Sequence, residues 1–221
     1  MLTNTTTRYA NYEFGKETMR GKPILTENTG NQTRGLDRDY VTQWSYGIGE
    51  TWSLMIPNVK GGASAYIGND NPALENTDPR YRASIAQSNA YWGDQPGTSG
   101  PVYVGAIVCF LFILGLFIVK DKIKWVLLAA TILSILLSWG KNFMGFTDFF
   151  LDYFPMYNKF RAVSMTLVIA EVCMPILAFL ALAEVIRNPE CLKNNKIYLY
   201  ISFGLTAGLC LLFYVAPHLF F

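Results

Sequence analysis

Residues that bind metals or form disulfides are scarce in this chain of 221 residues, which has one histidine, His218, and four cysteines. Cys109, Cys173 and Cys210 fall inside hydrophobic stretches, Cys191 stands alone in a short polar segment, and no C-x-x-C pair occurs. That pattern implies no disulfide framework and offers almost no ligands for zinc or iron, so neither a metal nor a cofactor is expected. Charge is also sparse: charged residues make up 15% of the chain and the net charge is +2, which argues against nucleic acid as a partner. The Gly47-Ile48-Gly49 run lacks the third glycine and the flanking strand and helix of a dinucleotide site, and reads as a turn. Asn4-Thr5-Thr6 and Asn31-Gln32-Thr33 match a glycosylation sequon that is too short and frequent to carry weight.

Hydrophobic residues are abundant, at 52%, and they are concentrated after Pro101. Residues 102–119 read VYVGAIVCFLFILGLFIV without one charge, and about 18 such residues are long enough to cross a bilayer core. A tight turn with Lys120, Lys122 and Lys124 leads into a second apolar run at 123–139. A third run, 163–186, carries Glu171 and Pro175, and a fourth covers 197–216. Soluble core helices are rarely so apolar all round for so long. The expected fold class is therefore mainly α and integral to the membrane, with four transmembrane helices after an irregular, mixed extracytoplasmic segment, residues 1–101.

Positively charged loops are retained in the cytoplasm, and the turn at 120–124 packs three lysines into five residues, against three Lys and Arg spread over the loop 140–162. This orientation places residues 1–101 and the loop 140–162 on the outer side. A polar segment of that length needs a signal or a preceding helix to cross the membrane, and residues 1–25 contain no apolar h-region. The expectation is that the chain is the middle or C-terminal part of a longer membrane protein.

Two stretches concentrate chemistry-bearing residues: YWGDQPGTSGPVYVGA, from Tyr91, and WGKNFMGFTDFFLDYFPMYNKFRAVSM, from Trp139. In the second, Phe143, Phe146, Phe149, Phe150, Tyr153 and Phe154 suit an amphipathic segment lying in the membrane interface. Asp148 and Asp152 are four apart and share one face of a helix. Lys159 and Arg161 follow just before the third run; they either snorkel at the membrane edge or bind an anionic group, for which Arg161 offers a planar fork and Lys159 a less directional charge. Trp92 suits an interfacial position before the first run, which leaves Asp94 unexplained. Glu171 is either hydrogen-bonded between helices or functional, and Pro175 should kink its helix near 171–174.

With Trp139-Gly140, the aromatic run Phe149 to Phe154 and the Pro-x-Tyr-x-Lys-Phe-Arg pattern from Pro155 to Arg161, together with Ser45 to Pro57 and Tyr91-Trp92-Gly93, the chain resembles the YfhO-type family of bacterial membrane proteins over residues 38–186. That family is similar to GT-C glycosyltransferases that use polyprenyl-phosphate sugar donors. The resemblance implies a fragment of a membrane glycosyltransferase that moves a sugar to a cell-envelope acceptor at the outer (periplasmic) face of the bacterial cytoplasmic (inner) membrane. Its partners would be a polyprenyl-phosphate-linked sugar, membrane lipid and the remaining helices of the full-length protein. Arg161, Lys159, Tyr157, Asp152, Asp148, Asp94 and Trp92 are the candidate substrate-binding residues, with the three aspartates either touching substrate or structural. The family's catalytic acidic residue belongs to a first outer loop with no counterpart here, so no catalytic residue is assigned and the chain alone should be inactive. The alternative is a non-catalytic membrane scaffold or transporter fragment working through Glu171.

Overall fold

A computed structural model describes residues 4–15, Thr18, Thr33, 35–194 and 196–216; His218, Asn31 and Gln32 lie outside them. The helices are α1 (Thr5–Gly15), α2 (Arg38–Thr42), α3 (Pro79–Ala86), α4 (Ala106–Ile118), α5 (Ile123–Ser138), α6 (Met144–Tyr153), α7 (Val168–Arg187), α8 (Glu190–Asn194), α9 (Lys196–Phe203) and α10 (Leu209–Val215). Among the described residues β-structure is confined to two isolated bridges, Val59 with Gly61 and Tyr66 with Asn89. The protein is mainly helical, as its apolar runs require: such a run in lipid can satisfy its backbone only through local hydrogen bonds.

Among the described residues two helices are long and apolar enough to cross a membrane, Val163–Arg187 with 25 residues and Lys196–Val215 with 20. A third is possible if α5 and the following Gly140–Tyr153, bent by 108° at the break, count as one span. The first apolar run is less helical than its composition suggests. The N–H groups of Val104 and Gly105 both donate to the Leu54 carbonyl, at 3.0 and 2.9 Å, and Gly105 has φ +110°. Residues 102–105 are thereby held out of the helix, and α4 keeps only 13 residues, about 20 Å at 1.5 Å per residue. The helix α7 runs unbroken through Pro175.

The chain divides into two compact units, one formed by residues 1–46 with 136–166 and the other by 47–135 with 167–221. In the second, α4 packs chiefly on α7, and α9 also touches α4. Phe112, Leu114, Ile118, Leu127, Met174 and Leu177 form its buried core. A side chain at Gly115 would press within 3.0 Å of Leu177, so the glycine permits the close approach of α4 and α7. Polar groups inside this apolar body bond within a helix or to a neighbouring one. Ser134 Oγ accepts the Ala170 N–H at 3.3 Å, Thr131 donates to the Leu127 carbonyl, and Lys124 Nζ donates to the Leu116 carbonyl near the end of α4.

The first unit is tied together around residues 42–46. Ser45, fully buried, donates to the Thr42 carbonyl at 2.6 Å and accepts the Lys141 N–H at 2.8 Å. Tyr46 N–H donates to the Ser138 carbonyl, Asn142 Nδ2 to the Tyr46 carbonyl, and Ser164 N–H to the Trp44 carbonyl. Leu36, Val41, Leu151 and Val163 form the apolar centre. Gly140 sits at φ +44°, and a Cβ there would strike Ser45 Oγ and Val163. We expect Gly140→Ala to lower stability by about 1–3 kcal/mol, the combined cost of left-handed strain and overpacking. Thermal unfolding in detergent tests this, and an unchanged midpoint would contradict it.

Candidate functional site

In the first unit, α6 carries two faces with different chemistry. Asp148 and Asp152 occupy one, four residues apart, and Arg38 at the start of α2 bridges them: one guanidinium nitrogen donates to Asp148 and the other to Asp152 at 2.7 Å. Asp37 caps α2 by accepting from the Asp39 and Tyr40 N–H groups, which fixes the base from which Arg38 reaches out. The planar fork of arginine suits this double grip. Both aspartates are thus occupied by a cation that sequence reasoning did not single out.

The other face is aromatic. Phe143, Phe146, Phe150 and Phe154 follow one another at helical spacing, with ring centroids 5.5, 5.0 and 5.6 Å apart, and Phe150 meets Tyr157 at 5.7 Å. Phe149 stacks beside this row against Tyr153 at 5.4 Å. Phe149, Tyr153, Phe154, Met156 and Phe160 are all more than half exposed, so the segment 149–160 leaves five large apolar side chains in contact with its surroundings.

Residues 155–162 turn sharply beyond α6, with left-handed backbone at Met156 and Ala162, both at φ +67°, a conformation that costs about 1 kcal/mol or more per non-glycine residue. Between them lie three of the candidate site residues. Tyr157 Oη is buried and has no hydrogen-bond partner among the described residues; burial pushes its phenol up to about 12, so it stays protonated and able to donate near neutral pH. Lys159 is half-buried with its ammonium beside Gly35. Arg161 is exposed, its guanidinium carbon 4.6 Å from the Tyr40 ring centroid and 4.1 Å from that of Trp44. It donates to Tyr40 Oη at 3.1 Å and to Gln43 Oε1 at 2.7 Å. These partners are neutral, so the cation is held in place without losing its charge.

The second unit contains the other two candidates, Trp92 and Asp94, and a residue that the sequence reading passed over. Glu50 opens the helical turn Gly49–Leu54 and is 3% exposed. Its carboxylate accepts the Gly47 N–H at 2.6 Å, the Tyr91 hydroxyl at 2.6 Å and the Asp94 N–H at 3.4 Å. Desolvation, reinforced by the Glu50 bond, raises the Tyr91 phenol well above its ordinary value and keeps it a donor. Tyr91 Oη in turn accepts the Gln95 N–H at 2.9 Å. A Cβ at Gly93 would collide with Glu50 and Tyr91. The Tyr-Trp-Gly-Asp stretch is therefore a turn wrapped on a buried carboxylate, with Trp92 and Asp94 exposed on it. The one local sign of Glu50 was a carboxylate that follows Gly47 and Gly49 and precedes an apolar run.

Glu171 lies exposed in the first turn of α7. Among the described residues, no group of three or more His, Cys, Asp or Glu side chains is placed to hold a metal ion.

Two expectations follow. In a double-mutant cycle, Arg38→Ala with Asp152→Asn should give a coupling of about 0.5–1 kcal/mol, modest because both aspartates are half in water; strict additivity would show that the bridge contributes nothing. Tyr157→Phe should leave stability unchanged or raise it by up to about 1 kcal/mol, since it removes a buried hydroxyl without a partner. A clear fall in the unfolding midpoint would refute that account of the phenol.

No family model, curated protein or solved structure matches this chain.

Proposed function

We propose that the chain is the donor-binding part of a YfhO-type membrane glycosyltransferase, which takes a sugar from a polyprenyl-phosphate donor and delivers it to a cell-envelope acceptor at the outer face of the bacterial cytoplasmic membrane. In this reading all four apolar runs, α4 included, lie in the bilayer. The lysine-dense turn at 120–124 is cytoplasmic, and residues 1–101 and 140–162 face outward.

The observation that carries the reading is Arg161: an exposed cation with neutral partners, stacked on Tyr40 and Trp44, next in sequence to the exposed apolar side chains of 149–160. A polyprenyl-phosphate sugar has the matching pair of features, a phosphate at the interface and an isoprenoid tail in the adjoining apolar layer. When the anomeric carbon is attacked, its bond to the phosphate oxygen breaks and negative charge grows on the leaving phosphate. A guanidinium that meets this charge binds the transition state more tightly than the ground state. The bonds of Arg161 to Tyr40 and Gln43 leave further N–H donors for phosphate oxygens. Lys159 adds a second positive charge. Asp148 and Asp152, held by Arg38, serve to fix α6. The proton of the acceptor hydroxyl goes to a carboxylate that the family resemblance places outside this chain.

In the membrane-embedded protein, Arg161→Ala should lower sugar transfer from a polyprenyl-phosphate donor by about 100-fold or more, with membrane insertion intact and partial recovery in Arg161→Lys. Unchanged transfer in Arg161→Ala would remove this residue from donor binding. The scaffold or transporter reading predicts the opposite pair of results, with activity lost in Glu171→Gln and kept in Arg161→Ala.

A further inference from the structure

We propose that the end of the second unit at which α4 and α7 finish and α5 and α9 begin is a binding surface for the headgroups of anionic phospholipids. This goes beyond the transferase reading and does not depend on it.

The helices of this unit are registered by a few contacts. Lys124 Nζ, in the first turn of α5, donates to the Leu116 carbonyl in the last turn of α4 at 2.8 Å. Ser134, late in α5, accepts from the Ala170 N–H, early in α7, so α7 starts at the far end and finishes where α4 does. Phe117, near the end of α4, stacks on Tyr198 in α9, with ring centroids 5.0 Å apart and planes 7° from parallel. The turn after α4 and the segment that joins α7 to α9 are therefore neighbours, although sequence order separates them.

Together the two segments carry Lys120, Lys122, Lys124, Arg187, Lys193 and Lys196 against Asp121, Glu184 and Glu190. Every one of these cations except Lys124 is exposed. Glu190 is paired with Lys193 at 2.8 Å, and Asp121 accepts the Ile123 N–H. Lys120, Lys122, Arg187 and Lys196 form no ion pair among the described residues. Two helix C-termini and two N-termini meet at this end, so their opposed partial charges offset one another and the side chains set the sign.

Beside these cations in the chain, Ile123, Trp125, Ile186, Ile197 and Tyr200 are large and exposed. Where such side chains meet acyl chains, the neighbouring lysines and arginine reach the headgroup layer, and Trp125 suits the boundary between the two. The phosphate of phosphatidylcholine is already balanced by its own choline. That of phosphatidylglycerol is not, and it gains more from a cluster of uncompensated cations.

Trp125 is the natural reporter, being 58% exposed with the Lys124 ammonium 5.4 Å from its ring centroid. The intact protein is reconstituted in phosphatidylcholine vesicles that contain brominated phosphatidylglycerol or, at the same mole fraction, brominated phosphatidylcholine. Quenching of Trp125 is the difference between the wild type and Trp125→Phe. Phosphatidylglycerol should be preferred at this position by about fivefold or more. The preference should vanish when Lys120→Gln, Lys122→Gln and Lys196→Gln are combined and survive when the same three positions are changed to arginine. It should also shrink in the wild type at about 1 M NaCl, where the screening length falls to about 3 Å. Equal quenching by the two lipids overturns the inference. So does a preference that persists in the glutamine variant, or one that high salt leaves unchanged in the wild type, a measurement that requires no variant to fold. Loss of the preference on adding inorganic phosphate at constant ionic strength would assign the surface to a free anion and overturn the lipid. Sugar transfer enters none of these readouts, so this inference and the transferase reading fail separately.

Discussion

Ser45 holds a position on which the first unit depends. Its hydroxyl donates to the Thr42 carbonyl and accepts the Lys141 N–H, so one buried atom joins the residues after α2 to the turn between α5 and α6. That contact is possible because Gly140 has no side chain and can adopt a left-handed backbone. The bonds from Tyr46 to Ser138, from Asn142 to Tyr46 and from Thr147 to Gly140 converge on the same few residues. A buried backbone group without a partner is expensive, and this network satisfies several of them at once. The placement of α6 beside α2 follows from this junction.

The two arginines of this unit show how neighbours decide what a charge can do. Arg38 is mostly buried between two carboxylates, and its charge is spent on holding α6 to α2. Arg161 rests on aromatic rings and neutral oxygens, an arrangement that restrains the side chain but leaves the charge uncompensated. The same residue type thus acts as a brace in one place and offers an anion contact in the other. Glu50 in the second unit resembles Arg38 in this respect: its charge is absorbed by donors, and its effect is on the shape of the turn around it.

Several features were legible from residue order alone. The Asp148 and Asp152 spacing gives a shared face by helical geometry, and the phenylalanine row follows from the same period. The partner of those aspartates was not legible, because Arg38 lies 110 residues before Asp148 and no local pattern links them. The bond from the Asp94 backbone N–H to the buried Glu50, 44 residues earlier, was not legible either. Trp139-Gly140 was visible as a motif, while the need for glycine there comes from Ser45, which approaches it only in the folded chain.

Composition by itself determined that the C-terminal half of the chain forms apolar helices, since in lipid an uncharged run of this kind satisfies its backbone through hydrogen bonds within the segment. Tertiary structure decided where those helices begin and bend. The Leu54 carbonyl takes the Val104 and Gly105 N–H groups and delays the start of α4 to Ala106, and the contact at Gly140 ends α5 and turns the chain into α6. Tertiary structure likewise decided which charged residues are neutralised and which are left to meet a ligand. The difference is physical: helix formation depends on bonds between residues four apart, whereas helix limits and charge pairing depend on groups brought together from distant parts of the chain.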